Sequence, residues 1–347
     1  MVTLLSRRKT ICAMAMASSG FARSLRAKDL VRSFYPIGSV TYEAMFVAMG
    51  RNFIKDEGID CKMLPAGDGV KTREIVASGQ GDFGMGDFVH PLLLTSKGRP
   101  AKVLAGVDRF STSLAFMLRA ALAATGIDTV QKLAEWKRPN GSKAIIGVSS
   151  IGGTTHLWAQ YYMETFGLAN AVTWLGAGNV STMLGSLRTK QIDVLVSDWA
   201  LVQESISQGY AKLLFDGSDE KTWNQTIAGR VPVTVHYCLQ STVDRDPALV
   251  QAWTNAMLRA LQWIHANSAE DIFDAIEPFV GSTSRDASIF GIKIVKAAVN
   301  PTGVIDKADF DRGSHVWFNS LTGVKPVAFD DIYAGDFIGK ANEKYHV

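Results

Sequence analysis

The chain has 347 residues, is 47% hydrophobic, and carries 36 lysines and arginines against 33 aspartates and glutamates, a formal charge of +3. That length and apolar content can bury a substantial core, and three cysteines are too few for a disulfide scaffold. The small net charge gives no reason to invoke nucleic acid, whose binders concentrate Lys and Arg on one face.

Residues 1–27 read as an export signal: a basic start, an apolar stretch over 11–21 rich in Ala and Met, small residues at Gly20 and Ala22, and no acid before Asp29. Ser6-Arg7-Arg8-Lys9 resembles a twin-arginine signal, although Thr10 stands where that pattern has a large apolar residue; a general secretory route is the alternative. Removing the segment takes away five basic residues and no acids, so the charge falls to about −2. No later apolar run approaches the roughly 18 to 20 residues needed to cross a bilayer, so a soluble periplasmic protein is expected. Cys12 lies in the signal and is not preceded by a lipoprotein box. Whether Cys61 and Cys238 pair stays open, with buried free thiols favoured because each sits beside apolar residues of a predicted strand.

In chain order, a predicted strand at 30–35 leads to a predicted helix over 42–57, where Met45, Phe46, Met49 and Phe53 fall at helical spacing and mark a core stripe. Gly58 ends that helix; a strand at 59–64, a helix at 70–78, a strand at 83–85, a helix at 91–96 and a strand at 101–107 follow. Such alternation predicts a largely parallel sheet. The apolar run 114–118 leads through a polar stretch, 128–142, to the glycine-flanked segment 144–153, where the crossing to a second lobe is expected. The return is expected at 231–239. A long helix over 246–265 then presents Trp253, Met257, Leu261 and Ile264 on one face, and the mostly helical remainder, anchored by Phe310 and Trp317, is expected to pack back on the first lobe.

Residues 65–88 and 176–199 align without a gap: Ala66, Gly67, Asp68, Gln80, Asp82, Asp87 and Phe88 recur 111 residues later as Ala177, Gly178, Asn179, Gln191, Asp193, Asp198 and Trp199. Ile37-Gly38-Ser39-Val40-Thr41 likewise corresponds to Ile151-Gly152-Gly153-Thr154-Thr155, at an offset of 114. An α/β chain of two similar lobes follows, with mostly parallel sheets and a two-crossing hinge. The expected bounds are 28–115 with 233–347 for lobe one and 116–232 for lobe two, with a cleft between them.

In open parallel sheets, ligands meet the loops at the carboxyl ends of the strands, where helix N-termini expose unpaired N–H groups. The loop from Ser149 to His156 is the best such element, with glycines for close approach and hydroxyls as donors; it suits a carboxylate, sulfonate or phosphate. Its expected ligand contacts are Ser150, Gly152, Gly153, Thr154, Thr155 and His156. The counterpart loop in lobe one offers Ile37, Gly38, Ser39, Thr41 and Tyr42. Asp87 and Asp198 follow the third strand of each unit and read as helix N-caps; facing a cleft, either would favour a ligand with an N–H, O–H or cationic group over a small dense anion. Phe88 and Trp199, like Tyr35, Tyr42 and Trp158, lie beside these loops as candidate ring shelves, with core packing as the alternative. Arg109, next to Asp108, is a candidate partner for a ligand anion, with a solvated arginine or an internal ion pair as the alternative. His156 and His236 are either cleft residues or satisfied structural histidines.

Enzyme readings find less support. The chain has no phosphate-binding G-x-x-x-x-G-K-[ST], no complete G-x-G-x-x-G and no G-x-S-x-G elbow. Its six histidines form no H-x-x-x-H pair, and no metal or cofactor is expected.

Taken together, Tyr35-Pro36-Ile37-Gly38-Ser39, the run from Ala77 to Asp87, the run from Gly147 to His156 and the run from Gln191 to Asp198 resemble the type II periplasmic solute-binding proteins of ABC importers. The similarity is to the branch that takes nitrate, sulfonates, taurine and thiamine precursors. It covers both lobes in order. It implies a monomeric scavenger of a small organic anion, held between lobes that close about a hinge and then recognised by a membrane permease with its ATPase. The alternatives on the same fold are an enzyme like the thiamine-pyrimidine synthases, whose cysteine-rich motif is missing here, and a periplasmic ligand sensor.

Overall fold

Alternation of short apolar strands with helices sorts the chain into two sheets of five strands. The computed structural model describes residues 30–281, 283–319 and 322–346; the export-signal reading falls on residues outside these. The first sheet has the order β2-β1-β3-β10-β4, with β1 at Val31–Tyr35, β2 at Cys61–Pro65, β3 at Phe83–Asp87, β4 at Ala101–Gly106 and β10 at Thr234–Leu239. The second has the order β7-β6-β8-β5-β9, with β5 at Ala115–Arg119, β6 at Ile145–Val148, β7 at Thr173–Gly176, β8 at Val194–Ser197 and β9 at Ala211–Asp216.

The repeat read in the sequence is therefore a repeat of topology. In the first sheet β1 pairs in parallel with β2 and β3, while β10 runs antiparallel to both β3 and β4. In the second, β6 pairs in parallel with β7 and β8, while β5 runs antiparallel to β8 and β9. Four strands of each sheet thus share one direction, and the reversed strand is the one the chain lays down on arriving from the other sheet. Even the register irregularity recurs, at His236/Tyr237 in β10 and Phe116/Met117 in β5.

That topology corrects one expectation. The crossing to the second sheet is not at 144–153 but at residues 107–114, because the apolar run that follows is β5, already central in the second sheet. The polar stretch after it is an excursion that carries the short helix Val130–Glu135 and returns at β6. The helix read over 42–57 is also two helices, Glu43–Gly50 and Phe53–Asp56, split where Asn52 takes a left-handed conformation at φ 60°. Asn tolerates that region better than most residues.

On one face of the first sheet lies the helix Pro247–Ala266, with Trp253, Met257, Leu261 and Ile264 fully buried and Trp253 stacked on Phe83 at 4.3 Å between ring centroids. The helix Gly335–Tyr345 covers it from outside. Not all of the C-terminal region stays with the first lobe. The helix Arg285–Ala298 lies so close to the second lobe's helix Trp199–Ser207 that a Cβ at Gly291 would stand 2.8 Å from the Ala200 nitrogen. Glu204 accepts hydrogen bonds from the Ser284 backbone N–H at 2.9 Å and hydroxyl at 2.7 Å across the same contact. Cys61 and Cys238 are free thiols, and burial pushes each up to about 12.

Candidate functional site between the lobes

The carboxyl ends of β1, β3, β6 and β8 face one another across the two sheets, and the loops that follow meet there. Ser39 turns the chain after β1 and accepts the Thr41 N–H at 3.2 Å. Asp198, directly after β8, caps the next helix by accepting the N–H groups of Ala200 and Leu201 at 2.9 and 3.3 Å. Asp87, the last residue of β3, stands one residue before the cap position of the next helix, which Phe88 holds, and accepts the Val89 N–H at 2.8 Å. Each acid thus satisfies orphan donors at the start of a helix.

Both acids also receive a donor from the opposite lobe. The Ser39 hydroxyl donates to Asp198 Oδ2 at 2.6 Å, and the Trp158 indole N–H donates to Asp87 Oδ2 at 2.9 Å. Because Asp87 and Asp198 are equivalent in the repeat, the two bonds are reciprocal in the acids they hold: one takes a loop hydroxyl from the other lobe and the other an indole N–H from the helix Thr154–Thr165. Thr41 and Ser113 share a further hydroxyl contact at 3.0 Å. At the hinge, Asp108 accepts the N–H groups of Val233 and Thr234 at 2.8 and 3.0 Å, tying the outgoing crossing to the returning one.

These contacts enclose a cavity of about 30 Å³, lined by Ile37, Ser39, Thr41, Tyr42, Asp87 and Thr234 from the first lobe, Ser113 from the crossing, and Ser149, Thr154, Thr155, Met183, Ser197 and Asp198 from the second. That is room for no more than about two water molecules. Burial raises Asp87 to about 6 and Asp108 to about 7, and raises Asp198 as well, in each case against hydrogen bonds that favour the charged form. The Tyr42 phenol is raised first by burial and then by the neighbouring charges of Asp87 and Asp198. Among the described residues, no Lys, Arg or His lines the cavity.

Eight of the residues read from the sequence line this cavity: Ile37, Ser39, Thr41, Tyr42, Asp87, Thr154, Thr155 and Asp198. The others stand apart. Gly38 lies against the Phe279 carbonyl, which a Cβ would approach to 2.6 Å. Phe88 is buried in the first lobe's core, stacked on Trp317 at 4.6 Å. Trp199 donates to Ser218 at 2.7 Å and packs on Phe290. Arg109 donates to the Ala297 carbonyl at 3.3 Å, away from the cavity. Gly152, at φ 80°, and Gly153 shape the turn into the helix Thr154–Thr165, while the buried Ser150 hydroxyl finds no partner. His156 accepts the Gly152 N–H at 3.1 Å, stands edge-on to Trp174, and is held neutral by burial. His236 faces Trp253 in the core of the first lobe.

Ser113, Ser197, Thr234 and Met183 line the cavity without having been read as contacts from the sequence, while Ser149, which opens the loop that was, lines it too. Ser197 adjoins Asp198, so strand-end position could have found it. Ser113 lies in the first crossing, Thr234 opens β10 where the second crossing ends, and nothing in a single sequence marks Met183.

Two sheets of this order joined by two crossings define the fold of the periplasmic binding proteins. The model of the NMT1-like family matches residues 34–276, and the chain belongs to that family. A solved structure from Bordetella bronchiseptica RB50 is similar over 92% of this chain and 98% of its own, at 25% identity and a TM-score of 0.77. The ligand-binding component of an ABC-type import system from Staphylococcus aureus, solved with zinc bound, is 12% identical with a TM-score of 0.69 over 90% and 98% of the two chains. The periplasmic nitrate-binding protein NrtA of Synechocystis PCC 6803 is 14% identical with a TM-score of 0.67 over 91% and 88%. The desulfurization enzyme DSZB shares the fold at 16% identity and a TM-score of 0.61 over 91% and 99%, so architecture alone does not separate binder from catalyst.

Proposed function

We propose that the chain is the extracytoplasmic solute-binding component of an ABC importer, capturing a small molecule between its lobes as a monomer and presenting the closed form to a permease. The observation that carries this reading is the polar cavity to which both lobes contribute side chains. A solute touching both halves binds the closed arrangement better than the open one and shifts the population toward it. The reading involves no covalent step. Neither Cys61 nor Cys238 lines the cavity, and burial holds both of these thiols in their neutral, unreactive form.

A cavity of about 30 Å³ has room for about two water molecules, so a larger solute enters an opened form and replaces contacts that the lobes make with each other. Among the described residues, no helix is long and apolar enough to cross a membrane, so the permease is a separate chain in this reading.

The test is calorimetry and thermal shift on the purified chain against a panel of small acids, amines and pyrimidines, with each hit followed by mass spectrometry. Capture predicts a saturable stabilisation, with Tm rising as ligand exceeds Kd, and quantitative recovery of the unchanged compound. Conversion of a hit into product would move the chain to the enzymes of this fold.

A further inference from the structure

We infer that the solute presents a protonated amine, or another cationic N–H group, to Asp87 and Asp198, and carries acceptor oxygens at its other end. The inference rests on the capture reading and names the chemistry of the same site.

Three observations lead there. First, among the described residues the two carboxylates are the only charged groups lining the cavity, and they come from opposite lobes. Arg109, the cation closest in sequence to the hinge, is turned to a backbone carbonyl instead. A simple anion would therefore close against two like charges with no counter-charge.

Second, the N–H groups that would hold an anion at two of the facing helix starts are already taken. Asp87 holds the Val89 N–H, and Asp198 holds those of Ala200 and Leu201. The donors these acids accept from across the cleft, the Ser39 hydroxyl and the Trp158 indole N–H, show what each of them lacks when the lobes part. A solute that replaces those cross-cleft bonds must bring hydrogen donors of its own to the same oxygens, and charged N–H donors to carboxylate give the stronger bonds.

Third, the remaining facing helix, Thr154–Thr165, begins at Gly153 with no side-chain cap, and Thr154 and Thr155 line the cavity. Its positive end is open to acceptor oxygens. Donor-seeking acids on one side and an acceptor-seeking helix start on the other describe a small zwitterion, of which an amino acid is the simplest form.

Ionisation sets a pH signature. The titratable groups around Asp87 are Asp198, Asp108, Tyr42 and, one helical turn on, His90; the last is neutral because burial lowers it to about 3. Asp87 is raised by burial to about 6. Amine binding should tighten as pH rises through that value, whereas binding of an anion to protonated acids would weaken.

The experiment compares each zwitterion with its amine-free twin: β-alanine with propionate, γ-aminobutyrate with butyrate, and taurine with ethanesulfonate, by calorimetry at pH 5 and pH 7.5. The expected result is binding of at least one amine-bearing member, at least tenfold tighter than its twin and tighter at the higher pH. Asp198→Asn and Asp87→Asn should each remove at least tenfold of that preference while circular dichroism and Tm report an intact fold. If a variant fails to fold, the pH dependence of the unmodified chain decides. Twins that bind as well as their amines, or better at pH 5, overturn the inference and leave capture standing. Silence from the whole panel of acids, amines and pyrimidines overturns capture itself.

Discussion

Asp87 shows how one side chain couples the fold to its medium. Its carboxyl is raised by burial to about 6, above its value in an unfolded chain, so folding takes up a proton between those values. A group raised on folding contributes stability that is complete below its unfolded pKa and is lost as pH rises through the folded one. His90 and His236, lowered by burial to about 3, oppose this, since they contribute stability above their unfolded pKa and lose it as pH falls. The total profile therefore mixes signs, but a difference isolates one group. Asp87→Asn keeps an acceptor for the Val89 N–H and cannot ionise. Its Tm relative to the unsubstituted chain should climb between pH 4 and pH 6 and then level off; a difference constant across that range would mean Asp87 is not buried as described. Both cavity acids were legible in the sequence because each stands where a strand end meets a helix start; Asp198 is the N-cap expected there, whereas Asp87 stands one residue before the cap, which Phe88 holds. Phe88 and Trp199, one residue on, were not, because which way a ring turns depends on helices far along the chain: Lys307–Trp317 for Phe88 and Arg285–Ala298 for Trp199. Which of its alternatives Arg109 takes depends likewise on a distant segment, since its partner is the Ala297 carbonyl.

Among the elements, those with strong local patterns were readable and those defined by distant partners were not. The helix Pro247–Ala266 and the repeat of strand, helix and strand in each lobe follow from spacing of apolar residues within one window. The placement of β5 does not: its apolar run fits either sheet, and only its antiparallel ladders with β8 and β9 assign it to the second. The helix Arg285–Ala298 is the other case. Its amphipathic pattern predicts a buried face, but not that the face is shared between lobes. Gly291 is what allows the approach, since a Cβ there would meet the Ala200 nitrogen at 2.8 Å and its Cβ at 2.9 Å. Gly291→Leu should force the helices Arg285–Ala298 and Trp199–Ser207 apart and strain the two Ser284 to Glu204 hydrogen bonds. Overpacking of this kind costs about 1–3 kcal/mol. The cost should fall on the closed form, so small-angle scattering should record a larger radius of gyration. An unchanged radius with lowered Tm would place the strain within one lobe.

At the scale of the whole molecule, the described state is a closed one held by reciprocal bonds between lobes, and the same bonds stand in the way of a solute. Ser39 and Asp198 sit on opposite halves, so their 2.6 Å hydrogen bond exists only when the cleft is shut. A hydrogen bond to a charged group is worth about 1.5–3 kcal/mol net. Ser39→Ala should therefore shift the closed-to-open ratio roughly tenfold to a hundredfold toward open. Trp158 to Asp87 and the two Ser284 to Glu204 bonds would remain, so the variant is loosened rather than left without a latch. Since the cavity must open before anything larger than water enters, association of a captured solute should accelerate in the variant, up to the limit set by the fully open fraction. Stopped-flow tryptophan fluorescence, with Trp158 beside the cleft, can read both rates. A faster association with a faster release identifies the bond as a latch on entry, and an association rate equal to that of the unsubstituted chain shows that opening is governed elsewhere, at the hinge where Asp108 joins the crossings.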